Sequence, residues 1–203
     1  MKNPLNILAR LGALAAVLGG LLWCAKAFYD RNDAPPWPTD ITDTLFFVVL
    51  LLFLAGLTGL YARCRGGLGE WETISSMGFV VGLVGLTMSI VGQLTMVFEV
   101  GPSWWLGISW WMFVFGFFVM NLALVFLGNS IVQSGALPRW RAVPLLTGSL
   151  GLLLILVGDP PNSELGVYPS LVLWMGFGLG WVVQGCVPYS GEDETAKQPA
   201  LAR

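Results

Sequence analysis

Residues 74–98 read ISSMGFVVGLVGLTMSIVGQLTMVF. The run holds no Asp, Glu, Lys or Arg, and it exceeds the roughly 20 apolar residues that carry a helix across a bilayer. It also carries a second message. Gly78, Gly82, Gly85, Ser89 and Gly92 recur at spacings of 4, 3, 4 and 3, so all five lie on one helical face. Lipid tails are as apolar as leucine, so helices in a membrane associate largely through close packing of small residues. This stretch therefore predicts a transmembrane helix with one side pressed against another helix.

The rest of the chain extends that reading. Of 203 residues, 56% are hydrophobic and 11% charged, with a mean hydropathy of +0.74. A soluble domain carries about 25% charged residues, so this chain has too little polar surface to coat a water-soluble globule. Five further stretches qualify as spans: about 8–28, 44–62, 108–131, 143–158 and 170–187, the 143–158 stretch being the shortest. Segments rich in Pro, Gly and charge separate them: 30–38 with Pro35, Pro36 and Pro38, 65–69, 101–103 and 159–162. The expected fold is all-α, a polytopic integral membrane protein with six transmembrane helices in a compact bundle. Residues 1–189 form the membrane domain, and 190–203 form a polar, disordered cytoplasmic tail.

The basic residues give an orientation. With six spans, Lys2, Arg10, Arg63, Arg65, Arg139, Arg141, Lys197 and Arg203 share the side of the termini, and Lys26 and Arg31 share the other. Lys and Arg concentrate on the cytoplasmic side, which puts both termini in the cytoplasm and the chain in a cytoplasmic (inner) membrane. Lys2, Arg10 and Ala25-Lys26-Ala27 also have the outline of a signal peptide. Lys26 inside the cleavage motif and Arg10 close to the apolar run argue against that, and the first stretch is kept as a span.

The spans fall into three hairpins beginning near residues 8, 74 and 143, each with a Gly-rich first helix and a Pro-containing outer turn. They outline three helical hairpin repeats. Partners for the stripe on the third span are offered by Gly12, Ala16, Gly19 and Gly20 on the first, and by Gly176 and Gly180 on the sixth.

Polar residues inside spans are costly unless hydrogen-bonded. Gln93, Asn121 and Gln184 are the three amides to explain. Their ordinary role is to join helices. Their functional role would be a polar ligand site, with Glu99 and Trp110 beside it. Lys26, Asp43, Glu99, Trp104, Trp105, Trp110 and Trp111 gather near the outer surface, as a mouth for an amphipathic or cationic ligand would require. The ordinary reading of these tryptophans is interfacial anchoring.

Catalytic chemistry finds little to stand on. The chain has no histidine, which removes Ser-His-Asp chemistry and most zinc sites. Cys24, Cys64 and Cys186 are scattered and form no CxxC pair. Gly158-Asp159 lacks the Gly-x-Gly-Asp pattern of intramembrane aspartyl proteases, since Leu156 stands at the first glycine. No basic run with interleaved aromatics exists to track nucleic acid. The sequence therefore points to a non-enzyme with no cofactor and no metal. Its leading function is that of a structural or accessory membrane protein, acting through helix faces on the lipid bilayer, a membrane-protein partner or a homo-oligomer. The alternative is a small transporter or amphiphile-binding protein with a polar site among spans 3, 4 and 6.

Overall fold

The structure is a computed structural model and describes residues 4–31, 39–137, 140–157 and 167–186. The expected tail and the outer segments around Pro35 and Pro160 lie outside the described residues. Among the described residues six α-helices occur: α1 (Pro4–Arg31), α2 (Thr39–Cys64), α3 (Glu72–Val97), α4 (Ser103–Ser134), α5 (Val143–Val157) and α6 (Val167–Cys186). Two 3-10 turns, Arg65–Gly67 and Gly69–Trp71, link α2 to α3. Five of the helices are long and apolar enough to cross a membrane. The exception is α5, whose 15 residues span about 22 Å against a hydrocarbon core of about 30 Å.

The helices form a closed ring in chain order. Each packs on its neighbours in sequence, and α6 returns to α1. The three hairpins α1–α2, α3–α4 and α5–α6 thus each pack together, and consecutive hairpins share a seam. The outward faces are apolar, with Leu11, Met77, Val84, Trp111 and Val172 all exposed, as helices facing lipid require. Within the spans, Thr58, Thr87, Ser109, Ser130, Thr147 and Ser149 each donate to the carbonyl four residues earlier, which satisfies their hydroxyls without water.

Glycines set most of the seams. Gly12 of α1 and Gly59 of α2 face each other with no room for a Cβ on either. Gly20 and Gly178 do the same between α1 and α6, and Gly128 meets the backbone of Pro144 and Leu145 between α4 and α5. The stripe on α3 is buried throughout, and its partner is α4. A Cβ on Gly85 would stand 2.6 Å from the Met120 amide nitrogen and 2.7 Å from the Gly116 carbonyl. One on Gly92 would stand 2.7 Å from the Phe113 nitrogen, and the Ser89 hydroxyl donates to the Phe113 carbonyl at 3.0 Å. The expected pairing with the first or sixth span is therefore corrected. Gly12 and Gly20 close on α2 and α6. Gly180 closes on Thr147 of α5, and Gly176 meets Leu150 at 3.4 Å.

The turn between α3 and α4 needs unusual backbone. Glu99 and Gly101 have φ of 46° and 104°, and Pro102, extended, stands at the N-cap of α4. Gly135, at φ 70°, closes α4 by donating to the Ile131 carbonyl, the left-handed cap that glycine adopts without a Cβ clash.

The ring encloses an aromatic column. Trp23 of α1, 2% exposed, stacks on Trp174 of α6 (4.7 Å between centroids) and Phe117 of α4 (5.7 Å), and also touches Phe46, Phe53 and Phe177. Its indole nitrogen donates to the Trp174 carbonyl at 3.0 Å. Trp181 continues the column by stacking on Phe53 at 4.4 Å.

Candidate functional site

The column does not fill both ends of the bundle equally. Towards the end where α1 begins and α6 ends, Leu60, Cys64, Leu68, Leu127 and Ile131 are all buried and plug the axis among the described residues. Towards the opposite end, where α1, α3 and α5 finish and α2, α4 and α6 begin, the described residues enclose two adjoining cavities. The deeper, of about 230 Å3, is walled by Trp23, Phe46, Trp110, Phe113, Val114, Phe117, Leu154, Ile155 and Trp174. The shallower, of about 240 Å3, shares Phe46, Trp110, Phe113 and Trp174 and adds Lys26, Gln93 and Met96. All six helices contribute to this pair of cavities. The floor at Phe117 lies near the midpoint of α4.

The chemistry is sharply divided. The deep chamber is lined by aromatic and aliphatic side chains alone. The mouth brings in one ammonium and one amide. Lys26 Nζ lies over the Phe46 ring, 5.3 Å from its centroid, a cation–π contact that strengthens as water is excluded. Gln93, 6% exposed, reaches the mouth from the buried side of α3, one residue beyond Gly92. The small stripe brings α3 against α4, so the amide lies beside Phe113 and Trp110 on the same cavity wall.

Of the residues expected to form a site, the structure brings Gln93 and Trp110 together here and separates the others. Glu99 is exposed in the α3–α4 turn and lines neither cavity. Asn121, fully buried, faces α5. Its amide nitrogen donates to the Phe117 carbonyl at 2.8 Å, and its Oδ1 has no hydrogen-bond partner. That oxygen crowds Gly151 closely enough that no Cβ would fit. Gln184 lies towards the plugged end. Its Nε2 donates to Thr147 Oγ1 at 2.9 Å, its Oε1 is unpartnered, and its backbone carbonyl accepts from Arg63 at 3.1 Å. Asn121 and Gln184 thus hold α5 between α4 and α6. In the expected outer mouth, Lys26 and Trp110 take part. Trp104 and Trp105 pack edge to face on each other and line neither cavity. The side chain of Asp43 lies outside what the structure describes.

Sequence reasoning missed Trp23, Phe46 and Trp174. Trp23 is flanked by Leu22 and Cys24 inside an apolar run, away from the helix ends where interfacial tryptophans sit. That position was the available signal that it belongs to the interior. Among the described residues no group of His, Cys, Asp or Glu could hold a metal ion.

Comparison with known proteins gives no match to a family model, a curated protein or a solved structure.

Proposed function

We propose that this chain is a non-catalytic, multi-pass membrane protein that binds a single-chain amphiphile, tail in the aromatic chamber and head at Lys26 and Gln93. The observation that carries the reading is a pair of adjoining cavities that share Phe46, Trp110, Phe113 and Trp174, one with an apolar lining and one with a polar mouth, built from all six helices. Each cavity approaches the roughly 300 Å3 lower bound of small-molecule pockets, and together they suit a slender ligand. A tail leaving lipid gains no hydrophobic free energy. Selection then depends on dispersion contact with the rings and on the head. Lys26, which keeps contacts of its own, brings an ammonium to the mouth, and a carboxylate or phosphate head suits that group better than an ammonium head does. In a site shielded from water that attraction counts for more than at a surface. The lining offers no nucleophile paired with a base, which supports a binding rather than a chemical role.

The accessory reading needs helix faces open to a partner, and the small-residue stripe is not one, since it is occupied within the chain, between α3 and α4. It is left with the outward apolar faces. Co-purification of a stoichiometric protein partner in mild detergent would favour it. For location we propose a cytoplasmic membrane with both termini inside. Arg10, Arg63, Arg65 and Arg141 share the plugged end of the bundle, which supports that orientation.

The test is equilibrium binding of tritiated palmitate to the protein in phosphatidylcholine nanodiscs. Saturable binding at one per chain is expected, lost in Val114→Trp, which fills the chamber, and weakened in Lys26→Gln. Hexadecyltrimethylammonium should compete poorly. Absence of saturable binding, or retention of full binding by Val114→Trp, would overturn the proposal.

A further inference from the structure

The walls of the deep chamber are unequally sealed. On α1, α2 and α6 the lining residues Trp23, Phe46 and Trp174 are all buried. On α4 and α5 the lining is mixed: Phe117 and Leu154 are buried, Phe113, Val114 and Ile155 are half-buried, and Trp110 is 49% exposed. The seam between these two helices changes character along its length. Towards the plugged end and through the middle it is closed by glycine contacts, Gly128 on Pro144 and Leu145, Gly148 on Asn121 and Val125, and Gly151 on Asn121. Beyond Gly151 neither helix offers another glycine to the seam, and the facing residues are the bulky Val114, Leu154 and Ile155. Backbones that touch at glycines must diverge where branched side chains stand between them.

We infer that the ligand enters sideways from the bilayer, through the gap between α4 and α5 beside Trp110, Val114 and Ile155, and not from water through the mouth at Lys26. The inference rests on the binding role proposed above, and it narrows the ligand to a molecule resident in the membrane. The tail slides between two helices that already face lipid, so no methylene crosses water. The head follows along the membrane surface to Lys26 and Gln93. The aromatic face of α4 beside the gap, Trp111, Phe115 and Phe118, is exposed and continues the apolar path outward.

The two routes pass different side chains. Ile155 lines only the deep chamber, and Met96 only the mouth. The probe is cis-parinaric acid, dissolved in phosphatidylcholine nanodiscs and followed by energy transfer from the tryptophans in stopped flow. Ile155 also lines the chamber, so the route is read in the association rate alone: Ile155→Trp should slow association by about tenfold. Val114→Ala, a smaller change that widens the same gap, should speed association. Met96→Trp, which alters the mouth and can change dissociation of the head, should leave the association rate as it is. Slowing by Met96→Trp alone would assign entry to the mouth and overturn the inference while leaving the binding role intact. Slowing by both tryptophan variants, or by neither, would overturn it as well. No saturable energy transfer in the parent protein would remove the binding role and this inference together.

Discussion

A single hydrogen decides whether α3 and α4 can meet. At Gly85 the neighbouring atoms are backbone on both counts, the Met120 nitrogen and the Gly116 carbonyl, and backbone yields only if a whole helix moves. Gly85→Leu should therefore lower the melting temperature sharply, with a cost of about 1–3 kcal/mol or more from overpacking. Gly78, about two turns back on the same stripe, is different. A Cβ there would meet its nearest atom at 3.5 Å, an ordinary contact. Gly78→Ala should be neutral or stabilising by up to about 1 kcal/mol, since alanine is the better helix former. A thermal scan of both variants in one detergent checks the pair. Equal losses would mean that the stripe acts as a uniform surface and not through its point contacts. The stripe itself was legible, because a 4-3-4-3 repeat has only one geometric meaning on a helix. Its partner was not. Gly12, Gly19, Gly20, Gly116 and Gly128 are equally small, and composition cannot say which of several small faces meets which.

At the scale of the element, α5 asks for explanation. It is short, and it enters the ring through contacts with polar atoms: Asn121 against Gly148 and Gly151 on one side, Thr147 accepting from Gln184 on the other. Interhelical hydrogen bonds in membranes average about 0.6 kcal/mol, so Thr147→Val and Gln184→Leu should each destabilise by about that amount. The double variant should cost clearly less than their sum, because both remove one bond. Unfolding equilibria in mixed micelles would measure this, and strict additivity would show that the bond contributes nothing. The sequence identified Asn121 and Gln184 as polar residues in spans and suggested interhelical bonding as one role. It did not separate them from Gln93, because height along the bundle and angle around it depend on how six helices close into a ring. The spans themselves were readable from unbroken apolar runs. The tryptophans of the column were harder to place, since tryptophan anchors interfaces as readily as it fills cores.

For the molecule as a whole, the arginines and the cysteines make one joint prediction. Cys24 and Cys64 are buried and Cys186, in the last turn of α6, is exposed. Cys186 shares its end of the bundle with Arg63, whose guanidinium donates to the Gln184 carbonyl two residues earlier. If that end faces the cytoplasm, a membrane-impermeant maleimide should label Cys186 in inverted vesicles and leave intact spheroplasts unlabelled. Cys186→Ser should abolish the signal. Labelling of intact spheroplasts would reverse the orientation.

The ring is also uneven in height. The 32 residues of α4 extend for about 48 Å, and the 15 of α5 for about 22 Å, side by side on the same perimeter. Lipid cannot match both. In a bilayer with a core of about 30 Å, surplus length beside α4 is absorbed by tilt or by reaching into the headgroups, and the shortfall beside the described part of α5 by local thinning or by flanking residues, at a fraction of a kcal/mol per ångström of mismatch. Any local thinning of the bilayer around the protein is then greatest along the α5 flank, and a thinner membrane eases the mismatch there while enlarging it beside α4.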